Sequence, residues 1–264
     1  MSISSSTQPN KQEQLAAMRE FGNNVNARLP VLFLLDASSS MNGIIRGDNQ
    51  HILRQEHSDG INWNIVTGDN IVTRMDELNV GLQRFVSDIL ADPLAKLAAD
   101  VAVITFARTV ATVKEFGPIR ESDTGLKIST SQENETLLGE AVELALAELD
   151  NRKRTYREHG VEYYQPWLVV MTDGIPTSTR HRELEGRLKK LTANRKLSVF
   201  VFGIGRADLS ELCSISPGRP PMQVNDQKFP ELFAWLSRSV RMASMSVPGD
   251  GVSLTPLPDD VWQV

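Results

Sequence analysis

Arg28-Leu-Pro-Val-Leu-Phe-Leu-Leu-Asp36-Ala-Ser38-Ser-Ser40 is the stretch whose reading decides the fold. Val31 to Leu35 is apolar without a break and runs straight into Asp36. A strand with one wet face alternates apolar and polar residues, whereas an unbroken run suits a strand covered on both faces, as in a parallel sheet. Pro30 fits the start of such a strand, where no ladder donor is needed. Val101 to Phe106, Trp167 to Met171 and Val199 to Ile204 have the same character. Between these runs the apolar residues repeat at three and four: Leu78, Leu82, Phe85 and Ile89; Leu138, Ala141, Val142, Ala145 and Leu149; Leu184, Leu188 and Leu191; Phe229, Leu232, Phe233, Leu236 and Val240. That is the period of amphipathic helices. Val110 to Val113, with Phe116, follows its predecessor closely enough to be a hairpin edge strand, and Met222 to Val224 is a last short strand. Strands alternating with helices predict an α/β fold: a doubly wound, mostly parallel sheet of order 3-2-1-4-5-6, with one antiparallel edge strand and helices on both faces.

Outward from this frame, the chain reads as one domain over residues 28–247, a polar lead-in over 1–27 with a short helix at Lys11 to Phe21, and an extended, proline-bearing tail over 248–264. The domain carries an insertion at 44–74 without sustained period. Within it Ile61, Trp63 and Ile65 alternate, Thr67-Gly-Asp-Asn70 is a turn candidate, and Ile71 and Thr73 then return as a second strand. Trp63 either packs on the domain's own surface or helps form a partner-binding rim.

Composition sets bounds. The 264 residues carry a net charge of −5, which gives no electrostatic reason to bind nucleic acid or an anionic membrane. The apolar runs fall far short of the roughly 20 residues that span a bilayer, and Met1 to Asn10 has no apolar signal-peptide core. One cysteine, Cys213, excludes an internal disulfide. The expectation is a cytoplasmic protein, with no nucleic acid or membrane partner and with Cys213 in or near the core.

Chemistry gathers on three separated segments. Asp36, Ser38 and Ser40 follow the first buried strand, Thr136 opens the helix at Leu138-Gly139, and Asp173 follows the Trp167 to Met171 strand. In the expected sheet, strands one and four are neighbours at the switch point, where ligands bind beyond the carboxyl ends. Two carboxylates and three hydroxyls make an all-oxygen donor set suited to Mg²⁺ or Mn²⁺, with room for waters or an outside carboxylate. The bland alternative is a helix cap at Ser38 or Ser40 and a plain turn at Asp173-Gly174.

Asp36-x-Ser38-x-Ser40, Thr136 and Asp173-Gly174 resemble the metal-ion-dependent adhesion site (MIDAS) of von Willebrand factor A (VWA) domains. The resemblance implies that the two serines contact the metal directly, and that Thr136, Asp36 and Asp173 bind directly or through water. Val103-Ile-Thr-Phe106, Pro166-Trp-Leu-Val-Val-Met-Thr-Asp-Gly174, Gly203-Ile-Gly-Arg-Ala-Asp-Leu209 and Phe233-Ala-Trp-Leu-Ser-Arg-Ser-Val240 narrow it. Together these look like the TerY/YegL-like VWA proteins of bacterial tellurium-resistance and stress operons. That implies a cytoplasmic adaptor whose partners include a protein kinase and a metal-dependent protein phosphatase encoded nearby. The sequence departs from that pattern at 44–74, where a short turn is usual.

Other signals carry less. Arg46-Gly47-Asp48 is a chance-level tripeptide, and Gly203-Ile-Gly205 lacks the third glycine of a dinucleotide fingerprint. Asp48, Glu56, Asp59 or Asp69 of the insertion is a candidate to cap the chain's own metal. His51, His57, His159 and His181 have no metal-ligand spacing and read as exposed; Arg180 to Lys196 reads as a solvated helix face. The functional expectation is a non-enzymatic, metal-dependent protein-interaction module that takes a partner's carboxylate. The alternatives are a metal-dependent phosphoesterase, for which Arg46 is the nearby cation, and a structural subunit with an incidental metal.

Overall fold

The computed structural model describes residues 26–249 apart from 59–60, 134, 175 and 206, together with 254, 256–258 and 261. The short helix expected at Lys11 to Phe21 lies outside them. The chain begins with β1 (Leu29–Asp36), every residue of which is buried. A 3-10 turn at Ser39–Asn42 leads to the insertion, β2 (Ile44–Ser58) and β3 (Ile61–Thr73), and then to α1 (Arg74–Ala91) and α2 (Pro93–Ala98). Next come β4 (Ala99–Phe106) and β5 (Val110–Pro118), α3 (Leu138–Glu158), and β6 (Trp167–Thr172). Two short helices follow, α4 (Arg180–Glu183) and α5 (Glu185–Ala193), where the Leu184 to Leu191 period suggested one. The chain continues through β7 (Ser198–Ile204), α6 (Leu209–Leu212), β8 (Met222–Val224) and α7 (Phe229–Ser244).

Six strands form one sheet in the order β5-β4-β1-β6-β7-β8. Counting only these strands along the chain, the order is the expected 3-2-1-4-5-6. β4 and β5 pair antiparallel, and the other pairs are parallel. The unbroken apolar run of β1 is explained by its place between β4 and β6 with a core on each side. Val31, Phe33 and Leu35 enter the layer formed with α1 and α7, while Leu32 and Leu34 enter the layer formed with α3. Leu257 and Val261 are also buried in the α1/α7 layer. Each such side chain contributes about 1.5–3 kcal/mol by leaving water.

The other layer needs a glycine. A Cβ on Gly139, in the first turn of α3, would lie 2.6 Å from the backbone nitrogen of His181 and 2.7 Å from the Cβ of Arg180. This close approach seats α4 on α3 and explains a correction: His181, expected to be exposed, is buried, with Nδ1 2.7 Å from the carbonyl of Ser178. Gly139→Ala is expected to destabilise the fold by about 1–3 kcal/mol through overpacking against backbone. Urea denaturation checks this; an unchanged midpoint would show that α4 gives way freely. Cys213, expected in or near the core, is exposed, because Leu212 and Ile215 on either side take the buried positions of that turn.

The insertion is a two-stranded antiparallel hairpin, as the alternation suggested, but its reversal lies elsewhere. Ser58 pairs with Ile61, so Asp59-Gly60 separates the strands, while Thr67 to Asn70 lies inside β3. Pairs on both sides of Thr67 to Asn70, such as Ile52 with Val66 and Ile44 with Thr73, keep that stretch within the strand. The turn-type residues instead mark an irregularity: the register shifts between Asp48 and His51, and Asn70 has a φ of 52°. At the root, the amide of Arg74 donates to the carbonyl of Gly43 at 2.9 Å. Arg46 pairs with Glu77, and Gln227 Nε2 donates to the carbonyl of Ile45 at 3.2 Å. The side chain of Trp63, singled out from the sequence, lies outside the described residues.

Candidate metal centre

The site forms where β1 and β6 release their chains side by side. β1 ends at Asp36, and β6 ends at Thr172, just before Asp173. Neighbouring loops fix the Asp36–Ser40 turn through backbone bonds. Ala37 N donates to Phe106 O at 2.8 Å, Ser39 N to Glu133 O at 3.0 Å, and Ser131 N to Ala37 O at 2.6 Å. The third segment is tied in likewise: Leu137 N donates to Ala107 O at 3.0 Å and Thr177 N to Thr136 O at 3.2 Å. The three separated segments are thus held by main-chain geometry rather than by their functional side chains.

Those side chains meet. Ser38 Oγ lies 2.9 Å from Ser40 Oγ, and Ser40 Oγ donates to Asp173 Oδ1 at 2.6 Å. The amide of Ser38 donates to Asp36 Oδ1 at 2.8 Å. Thr136 is buried, and its Oγ1 and Asp36 Oδ2 lie 2.9 and 3.5 Å from the place a Cβ on Gly174 would take. Glycine at that position therefore keeps open the space between them. All five residues singled out from the sequence face one another at the carboxyl end of the sheet.

Burial raises the pKa of Asp36 to about 6, helped by the negative charge of Asp173 and opposed by hydrogen bonds from Ser38 and Thr172. Burial also raises that of Asp173, opposed by its bonds with Ser40 and Arg74. Two nearby buried carboxylates that each resist ionisation make a place that a cation stabilises. The oxygen-only donors suit a hard divalent ion. The residues present therefore fit the expected metal.

Two residues that bond to the candidate ligands were missed in the sequence. Thr172 Oγ1 donates to Asp36 Oδ2 at 2.5 Å and orients that carboxylate. Its signal was its position beside Asp173 at the end of β6. The second is Arg74. Arg46, the cation expected near the site, instead pairs with Glu77. Arg74 Nη1 donates to Asp173 Oδ2 at 3.2 Å and to the Ser40 carbonyl at 3.2 Å, and its Nε donates to Asp226 Oδ2 at 3.0 Å. Between the hairpin and the Ser39–Asn42 turn lies a cleft of about 740 Å³, lined by Asn42, Ile44, Asn64, Ile65, Val66 and Gln132 among others, all uncharged.

A family model for the von Willebrand factor type A domain matches residues 66–234, so it begins inside the hairpin and leaves out β1 and the Asp36–Ser40 turn. No curated protein sequence matches the chain. Among solved structures, BatB from Bacteroides thetaiotaomicron, a conserved hypothetical protein, is similar with a TM-score of 0.53 at 17% identity, over 83% of this chain and 100% of that one. The PilB minor pilin of Streptococcus sanguinis gives 0.52 at 12%, over 82% and 62%. Proximal thread matrix protein 1 of the mussel byssus, in a structure with a zinc-occupied MIDAS motif, gives 0.50 at 18%, over 84% of this chain and 47% of that one. The chain thus spans about half the length of the mussel protein. At these identities the likeness is one of fold.

Proposed function

We propose, from the premise that this chain belongs to the von Willebrand factor type A domain family, that Asp36, Ser38, Ser40, Thr136 and Asp173 form its metal-ion-dependent adhesion site. The site holds a divalent ion, Mg²⁺ or Mn²⁺, and the chain uses it to take a carboxylate of a partner protein. VWA domains commonly mediate protein interactions. The observation that carries the reading is that Ser40 Oγ meets both Ser38 Oγ and Asp173 Oδ1, at the ends of two adjacent strands. Zinc, present in the mussel protein's site, is the competing metal, and the oxygen-only donor set favours the harder ions. The ion supplies a Lewis-acidic position for the partner's carboxylate. The chain's residues orient that position: Thr172 fixes Asp36, Ser40 fixes Asp173, and the backbone bonds of the turn fix both serines.

The uncharged cleft beside the hairpin receives the rest of the partner segment, its amides meeting main-chain groups and its isoleucines and Val66 meeting apolar side chains. The quoted late segments, from Gly203 and from Phe233, support a finer placement among TerY/YegL-like proteins. That placement carries with it a bacterial cytoplasmic adaptor in tellurium-resistance or stress response, linked to a protein kinase and a metal-dependent phosphatase. A gene neighbourhood without either would remove this finer part alone. The phosphoesterase alternative gains a cation in Arg74, but that guanidinium is engaged by Asp173 and Asp226.

Affinity capture on the immobilised chain, in Mg²⁺ and in EDTA, tests the proposal. The specific partner is expected in Mg²⁺ alone and lost with Asp173→Ala. It is also expected to be lost when 44–73 is replaced by a short Gly-Ser turn, with the fold and Mg²⁺ binding retained. Capture indifferent to both EDTA and Asp173→Ala would point to a structural subunit with an incidental metal.

A further inference from the structure

We propose that Arg74 is the internal cation of this site: its guanidinium pairs with Asp173, and a divalent ion must compete with it for that carboxylate. The inference rests on the metal-centre reading above. It concerns a residue outside the adhesion-site motif, supplied by the junction of the insertion with α1.

The guanidinium is housed, not merely nearby. A Cβ on Gly205 would lie 2.8 Å from Arg74 Nη2 and 2.9 Å from its Nε, and a Cβ on Gly43 would collide with Nη1. Gly205 has a φ of 58°, in the left-handed region that favours glycine, so a side chain here would strain the backbone and push the guanidinium aside. Two glycines from different loops thus clear a slot for one arginine. The slot ends at Asp173 Oδ2, and only 22% of the Arg74 side chain is exposed, against 2% for Asp173. A charge this close to a buried carboxylate and to a prospective divalent ion opposes the ion by direct repulsion, and low solvent access keeps that repulsion from being screened.

The geometry also gives the guanidinium somewhere to go. Asp226 already accepts from Nε at 3.0 Å, so an ion that claims Asp173 leaves Arg74 with a carboxylate partner. The next residue, Gln227, donates to the carbonyl of Ile45 in the hairpin root. Arg74 itself closes that root through its amide bond to Gly43. A change of partner at Arg74 is therefore felt at two of the points where the hairpin meets the body. Arg74 is a positioning and tuning residue: it sets ion affinity and reports occupancy to the arm beside the cleft.

The test uses the full chain and Mg²⁺ alone, by calorimetric titration, with Mn²⁺ and Zn²⁺ in parallel. Arg74→Gln removes the charge and keeps a donor. It is expected to bind Mg²⁺ on the order of tenfold tighter than wild type. It is also expected to melt lower without metal, because Asp173 and Asp226 lose their counter-charge. Arg74→Lys keeps the charge and is expected to stay near the wild-type affinity. Binding by Arg74→Gln that is equal to or weaker than wild type overturns the proposal and leaves the metal centre standing. If neither protein binds any of the three ions, the metal-centre reading falls and takes this proposal with it. A measurement on the wild type guards against a misfolded variant: the Arg74 side-chain Nε resonance, followed through a Mg²⁺ titration, is expected to shift as the pair with Asp173 opens. An unmoved resonance at saturation overturns the proposal.

Discussion

Ser38→Ala combined with Ser40→Ala is expected to abolish the rise in melting temperature that Mg²⁺ gives the wild-type protein, while the metal-free protein stays folded. An ion that binds only the native state stabilises it by about 2.7 kcal/mol at a hundred times its dissociation constant. For a domain of this size that is a shift of roughly 5–10 °C. The double variant removes two oxygen donors without adding bulk or charge. The loops around Ser38 and Ser40 are held by main-chain bonds to Glu133, Ser131 and Phe106, which alanine leaves intact. Differential scanning fluorimetry across a Mg²⁺ series reads the effect directly. A double variant that keeps the full shift places the ion elsewhere.

The largest loss of stability is expected from Phe33→Ala, at about 3–5 kcal/mol. Phe33 is fully buried at the centre of β1, 5.0 Å from the ring of Phe85 in edge-on contact and 5.6 Å from the ring of Phe233. These rings join the central strand to α1 and α7 at once, so truncation opens a cavity between three elements. The same strand delivers Asp36, and the variant is therefore also expected to bind Mg²⁺ less well at temperatures near its lowered midpoint. Guanidinium denaturation with intrinsic tryptophan fluorescence measures the loss. A cost below about 1 kcal/mol would mean that the layer collapses into the gap.

The sheet was legible because its central strands are buried on both faces. Val31 to Leu35 and Trp167 to Met171 can be apolar throughout only where helices cover both sides, and their alternation with helical periods limits the topology. The meeting of Asp36, Ser38 and Ser40 with Asp173 was legible because the ends of adjacent parallel strands have fixed places in such a sheet, and Thr136 joins them from the loop before α3. Arg74 was not legible: one arginine among many becomes a site residue only once Gly43 and Gly205 are known to flank it. Thr172 had the right position but no pattern of its own. The hairpin was legible as a hairpin, yet Thr67 to Asn70 reads locally as a turn, and only the pairing across the strands shows that it lies within β3. His181 misled for the opposite reason. A polar neighbourhood in sequence says nothing of a glycine on another helix that lets its backbone come close.

The arm has a length that matters for affinity. Its strands, of 15 and 13 residues, are long enough to pass along the cleft, which Asn64, Ile65 and Val66 of β3 line together with Ser39 and Asn42. Ile52 and Leu53, in the outer part of the first strand, are 58% and 67% exposed. Of the ion and the arm, a small carboxylate can occupy only one at a time, whereas a folded protein can meet both. For such a partner the second contact is intramolecular once the first is made, and avidity can exceed either contact alone by a factor of about 10²–10⁴. A weak grip at the ion is then sufficient, and free acetate or glutamate in the surrounding solution, which can use only that grip, competes poorly.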